Sequence, residues 1–257
     1  MDVAGPVAFR PMNRPSPPFL PWGRPEAFIA LALAGASGQA AAVSGQSQAA
    51  AGPPPTASLL LSLSLVPAIV VVLFSARCLV SRVSPAALLG TRGATARRIA
   101  AWLGVGAATG LVLAALCGGF ASLLQEAFAR FGIESGEQAS VLWLLDPSTP
   151  RATRLVIGAY AALVAPPCEE LLYRGMLLST ALRLCRRVPV AIAAVSLLFA
   201  MAHGSLVALL PLCLVGAICA ILAVRTGSLL PGIALHITFN LANLALIAVL
   251  RDSPALP

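Results

Sequence analysis

Long apolar runs dominate this chain from Leu59 onward, and no other feature limits its fold so sharply. A run of ~20 apolar residues spans the ~30 Å hydrocarbon layer of a bilayer, where each backbone N–H and C=O must find its partner inside the protein. A helix meets that demand within one segment. The runs are Leu59 to Val80, about Ile99 to Leu124, Ala152 onward, Val188 to about Ala208, Pro211 to Val224 and Leu229 to Leu250. They predict an all-α fold, a polytopic membrane helix bundle with six to seven transmembrane helices. Composition agrees, since 59% of the 257 residues are hydrophobic and only 10% are charged, against about 25% in an ordinary soluble domain. A disordered chain, a coiled coil and a nucleic-acid-binding domain are excluded, and the partner to expect is the lipid bilayer.

Residues 1–57 read differently. Met1 to Pro25 is rich in proline, a short apolar run covers Ala27 to Ala36, and an Ala/Gly/Ser/Gln stretch ends at Pro53–Pro54–Pro55. A flexible leader before a bundle over 58–257 is the first reading. A signal-peptide-like segment is a second, and a weak extra span over 27–51 is a third. Gln39, Gln46 and Gln48 count against that span, because a lone amide is costly in hydrocarbon.

The formal charge of +8 comes from 17 basic residues, all of them Arg. In a membrane protein these report orientation rather than acidic partners. The loop after the first run carries Arg82, Arg92, Arg97 and Arg98, so it is expected in the cytoplasm, as is the Arg225 turn. The loop Gln125 to Pro150 holds Glu126, Glu134, Glu137 and Asp146 and should face outward, with Trp143 as an interfacial anchor. The six cysteines form no CxxC pair and sit mostly in apolar runs, where Cys behaves as a small hydrophobe. No disulfide framework is expected.

Chemistry concentrates in the core 150–250. Between Thr153 and Leu250 the only acidic residues are Glu169 and Glu170, and both histidines of the chain, His203 and His236, lie there with Asn240. An ionisable group inside a membrane segment is expensive to bury and points to function. The pairs Glu169/Tyr173, Glu170/Arg174, Phe199/His203 and His236/Asn240 are each spaced i,i+4, so each shares a helix face. Three helices could thus aim a carboxylate, an imidazole, and an imidazole with an amide at one cavity. Ala152 to Cys185 is too long for a simple crossing at 1.5 Å per residue. Pro166–Pro167 offers a break after which a new helix would hold Glu169 and Glu170 near its positive N-terminus.

Each group taken singly has a plainer role. Glu170–Arg174 could be a buried ion pair, the histidines core residues, Asn240 a bond between helices, and Tyr173 and Phe199 packing. Cys168 could serve as a nucleophile, but its apolar flanks offer no fixed activator. Their joint occurrence is what favours a site.

The segment Ala165–Pro166–Pro167–Cys168–Glu169–Glu170–Leu171–Leu172–Tyr173–Arg174–Gly175 resembles the EExxxR motif of the CAAX protease and bacteriocin-processing (CPBP) intramembrane proteases. Phe199 to His203 resembles their FxxxH motif and His236 to Asn240 their HxxxN motif. The similarity covers roughly residues 100–250, with the motifs in the family's order. It implies a membrane endopeptidase that cuts a membrane-associated protein or peptide, prenylated or bacteriocin-like. Under it Glu169 is the general base that activates water, His203 holds that water, and His236 and Asn240 polarise the scissile carbonyl. Glu170 and Arg174 shape the site, with Tyr173 and Phe199 in support. Family members are commonly described as metalloproteases, and Glu169, His203 and His236 are the candidate zinc ligands. A Glu–His site without zinc suits the same residues, and activity is expected to survive metal removal. The Arg pattern puts the site nearer the cytoplasmic side of the plasma (inner) membrane, if the source is bacterial. A non-catalytic scaffold or transporter-like protein that uses the polar cluster structurally is the alternative.

Overall fold

A computed structural model describes residues 29–32, 56–133, 138–185 and 187–251. Of residues 1–55 only 29–32 are described, a helical turn whose Ala30 packs into the core, and residues 56 and 57 already belong to the first helix. The choice between linker, signal-like segment and extra span therefore lies outside the described residues, as do Glu134, Glu137 and Arg186.

The described chain is all helical apart from its turns. Helix α1 (Thr56–Val80) runs into a short α2 (Pro85–Leu88), and α3 (Ala96–Arg130) follows. A small helix α4 (Ala139–Leu145) precedes the long α5 (Arg151–Cys185). Then come α6 (Val188–Met201), α7 (Leu206–Thr226) and α8 (Leu230–Arg251). Five of these (α1, α3, α5, α7 and α8) are long and apolar enough to cross a membrane. The sixth apolar helix, α6, has 14 residues and so spans roughly 21 Å, short of the ~30 Å layer. Exposed Leu61, Leu65, Val72 and Leu79 on α1 suit a lipid-facing surface. The fold is that of an integral multi-pass membrane protein.

Local signals explain the helix ends. Ser84, Thr95 and Ser205 each accept a backbone N–H three residues on (Ala87, Arg98 and Ala208), which caps α2, α3 and α7. Gly227 ends α7 in the left-handed region at φ 72°. Two differences from the sequence expectation stand out here. The turn after α6 is Ala202–Ser205, and Pro211 lies inside α7 instead of bounding it. The Ser205 cap starts the helix earlier, and a packed membrane helix tolerates the proline.

The third span does not break at Pro166–Pro167. Helix α5 is continuous over 35 residues, with π-helical segments at Tyr160–Val164 and Leu171–Leu177 around an α-helical Ala165–Glu170. Proline lacks an N–H and crowds the carbonyl four residues back. The wider π turn just before the prolines accommodates that crowding without a chain break. Glu169 and Glu170 therefore sit mid-helix, and the expected help from a helix N-terminus does not apply.

Helices α3 and α8 run side by side in the same direction and very close. A side chain at Gly106 would start 2.2 Å from the Pro231 carbonyl oxygen, and one at Gly110 would start 2.4 Å from that of Leu235. At the arginine-rich face the α2–α3 loop is tied to the α7–α8 turn. The Leu89 carbonyl accepts from Leu229 N at 3.0 Å and from Ser228 Oγ at 3.1 Å. At the opposite, arginine-poor face, Trp143 of α4 is buried against Leu59, Leu144 and Ile157. It packs there as part of the bundle, where the sequence suggested an interfacial anchor. The turn after α4 is held by Asp146, whose carboxylate accepts from Ser148 N at 2.8 Å and Ser148 Oγ at 2.7 Å. Those bonds hold the Asp146 carboxyl below its ordinary range.

Candidate active site

The core is built around a fully buried ion pair on α5. Arg174 Nη1 donates to Glu170 Oε1 at 2.7 Å, and neither residue is exposed. Breaking such a pair would strand a charge in a low dielectric. The guanidinium is held from the other side as well, since Nη2 donates to the Gly216 carbonyl of α7 at 3.0 Å. Its carbon lies 4.6 Å from the centre of the Phe199 ring, in cation–π contact.

The same Glu170 oxygen reaches α8. His236 Nδ1 lies 3.3 Å from Glu170 Oε1, and His236 Nε2 lies 3.6 Å from Glu169 Oε2. His236 is thus buried between two carboxylates of one helix, with Glu170 behind it and Glu169 in front. The Glu169 side chain keeps 26% of its surface exposed while His236 keeps 3%. Glu169 Oε2 has no hydrogen-bond partner. At 3.6 Å its approach to His236 is longer than a hydrogen bond, as is common in catalytic sites without substrate.

Phe199 joins these helices. Its ring meets Tyr173 at 5.2 Å, His203 at 4.8 Å and His236 at 5.6 Å between centroids, each near edge-to-face. Its carbonyl fixes His203 as well, with Nδ1 2.8 Å from Phe199 O. An N–H at Nδ1 directed to that carbonyl leaves Nε2 as an acceptor. Because α6 is short, His203 falls just past its end in the Ala202–Ser205 turn. Asn240 Nδ2 donates to the Ala161 carbonyl, inside the first π segment, at 2.7 Å. That bond uses one N–H of the amide and leaves the other.

Glu169, His203, His236 and Asn240 line one cavity of about 470 Å³. Its other walls are mostly apolar, and they occupy the half of the bundle toward the arginine-poor face, whereas the arginine pattern leads one to expect a site nearer the arginine-rich side. They include Leu63 of α1, Ala121 of α3, Val141 of α4, Val207 of α7 and Ile247 of α8. Tyr173, Glu170 and Arg174 are buried behind this wall rather than in it. The cavity is floored by polar groups and walled by hydrocarbon, a form suited to an apolar chain segment with one polar bond presented to Glu169.

The sequence did not single out three further positions. Gly216 and Ala161 contribute backbone carbonyls, which carry no sequence signal. Gly232 leaves room for Glu170, since a side chain there would start 2.8 Å from Glu170 Oε2. It had a signal: Gly232, His236 and Asn240 are spaced i,i+4 and so share one face of α8.

Among the described residues no three His, Cys, Asp or Glu side chains converge to hold a metal ion. Catalytic zinc takes three protein ligands. Here Glu169 and His236 approach one another at 3.6 Å, and no third such side chain joins them among the described residues. The set does not fit a tightly held zinc.

The order and placement of the three motifs point to one family of membrane enzymes. Residues 151–242 match the family model described as type II CAAX prenyl endopeptidase Rce1-like. The resemblance read from the motifs is borne out by that match, which begins with α5 and ends two residues after Asn240, a shorter stretch than the 100–250 read from the sequence. At the family level it supports a CAAX-type intramembrane endopeptidase. Helices α1 to α4 lie outside the CAAX-endopeptidase match. No curated protein and no solved structure matches the chain.

Proposed function

We propose that this chain is an intramembrane endopeptidase that hydrolyses a peptide bond of a membrane-associated protein or peptide with water activated by Glu169. The observation that carries this reading is the Glu169 carboxylate, lining the cavity beside a histidine braced by Glu170. Glu169 takes a proton from water, and the resulting hydroxide attacks the scissile carbonyl carbon. His203 Nε2 accepts from that water and orients it. His236 lies where the oxyanion develops. A proton on its Nε2 makes it a donor to that oxygen, and Glu170 at Nδ1 supports the cation, as the buried carboxylate does in a serine-protease triad. The remaining N–H of Asn240 is a second donor. Glu169 then returns its proton to the leaving nitrogen as the C–N bond breaks, giving a carboxylate and an amine.

The apolar walls suit a hydrophobic or lipid-modified segment, and the cavity's position favours access from the arginine-poor face. The deciding experiment labels new protein N-termini in membranes carrying wild type or Glu169→Gln at matched levels. Loss of a general base lowers the rate by about 10²–10⁴-fold, so products should appear with wild type only. Identical N-termini in both membranes, with the purified pair equally inert on an apolar peptide library, would replace this reading with a structural role for the polar cluster.

A further inference from the structure

A second concavity, of about 590 Å³, lies on the lipid-facing side of α5 and α8. Its floor is apolar and deepened by small residues, with Gly158 and Ala162 of α5 lining it beside Leu241 and Ala248 of α8. Its rim at the arginine-poor face carries Arg151, Arg154 and Arg251. Arginines are scarce on that face. Among the described residues the only other one there is Arg130, which is ion-paired with Glu126. Among the described residues, three of the four arginines on this face thus line one groove, from helices far apart in sequence.

Dimensions and chemistry agree on an occupant. From Arg151 to Leu163 is roughly 18 Å of helix, and from Leu241 to Arg251 roughly 15 Å. One leaflet of hydrocarbon is ~15 Å thick, half of the full layer. The groove therefore reaches from the interface to the mid-plane, with its charge at the headgroup level only. Arg154 Nη1 donates to the backbone carbonyls of Asp146 and Pro147 at 3.2 and 3.3 Å, which anchors it at the rim. The Asp146 carboxylate itself is taken up by Ser148 and Thr149.

We infer that this groove binds one anionic phospholipid of the leaflet on the arginine-poor face, with its phosphate among Arg151, Arg154 and Arg251 and an acyl chain along Gly158 and Ala162. Planar guanidinium groups match phosphate oxygens in paired hydrogen bonds. Leu144 and Leu244 line both this groove and the catalytic cavity. The bound lipid therefore lies one side-chain layer from the site and forms part of its outer wall.

The test uses the full-length protein, delipidated in detergent and given phosphatidylglycerol or phosphatidylcholine of identical acyl chains, with retained lipid counted by native mass spectrometry. Wild type should retain phosphatidylglycerol at least 10-fold over phosphatidylcholine, and millimolar inorganic phosphate should not displace it. Arg151→Gln/Arg154→Gln/Arg251→Gln should abolish the preference with an unchanged circular dichroism spectrum. Gly158→Leu keeps every charge and fills the floor, where a Cβ meets only Leu244 Cδ1 at 3.9 Å. It should lose the lipid too, and it decides the matter if the triple variant does not fold. Equal retention of the two lipids, displacement by phosphate, or wild-type retention by folded Gly158→Leu would each overturn the inference.

Discussion

At the scale of single residues, Glu170 and Arg174 are sealed in the core while Glu169 lines the cavity, although the two glutamates are neighbours. The difference comes from their partners. Glu170 is closed in by Arg174 and His236, and Glu169 opens to the cavity. Glu170→Gln or Arg174→Met alone should cost about 3–5 kcal/mol of stability, the typical loss when one member of a buried pair is removed. Removing both charges together should recover much of that, and thermal melts in detergent read the difference. Glu170→Gln should also slow cleavage by on the order of 10²-fold, because His236 loses the group that orients it. Peptide cleavage should persist after dialysis against a strong chelator. A bound zinc in stoichiometric amount whose removal stops cleavage would show that the histidines rearrange around a metal.

At the scale of helices, the contact of α3 with α8 sets where His236 stands. Gly110→Leu would push a side chain into the Leu235 carbonyl, one residue from His236. Such a shift of about 1 Å can cost ~10²-fold in rate. Gly110→Leu should therefore lower both melting temperature and cleavage. Gly104→Leu, on the same helix with open space around its Cβ, should change neither. Legibility followed the same physics. Apolar runs reveal spans because hydrocarbon forbids exposed backbone, and i,i+4 pairs reveal faces because a helix fixes their azimuth. The end of α3 was less legible, since the apolar run stops near Leu124 while the helix continues to Arg130 through the Glu126–Arg130 pair. The two π segments were illegible, because nothing in Tyr160–Val164 or Leu171–Leu177 distinguishes a five-residue hydrogen-bond step from a four-residue one. Phe199 was read as support, and its role as the hub of four side chains needed coordinates.

At the scale of the molecule, the bundle has two unlike ends. Arg82, Arg92, Arg183 and Arg225 mark one, and the cavity leans toward the other. A reporter fused within the α2–α3 loop should read as cytoplasmic, and one fused after Asp146 as external. The opposite pattern would turn the cavity toward the cytoplasm and reverse the side from which substrate arrives. The arginine-rich end also holds the joint in which Ser228 and Leu229 close on the Leu89 carbonyl, 139 residues apart for Ser228. That joint has a meaning in time. A ribosome adds about 5–20 residues per second, so some 7 to 28 s separate the birth of its two halves. During that interval the Leu89 carbonyl lacks these two donors, and the α7–α8 turn supplies them when it arrives. A nascent chain that stalls before Ser228 therefore lacks both the latch and the last helix with its His236.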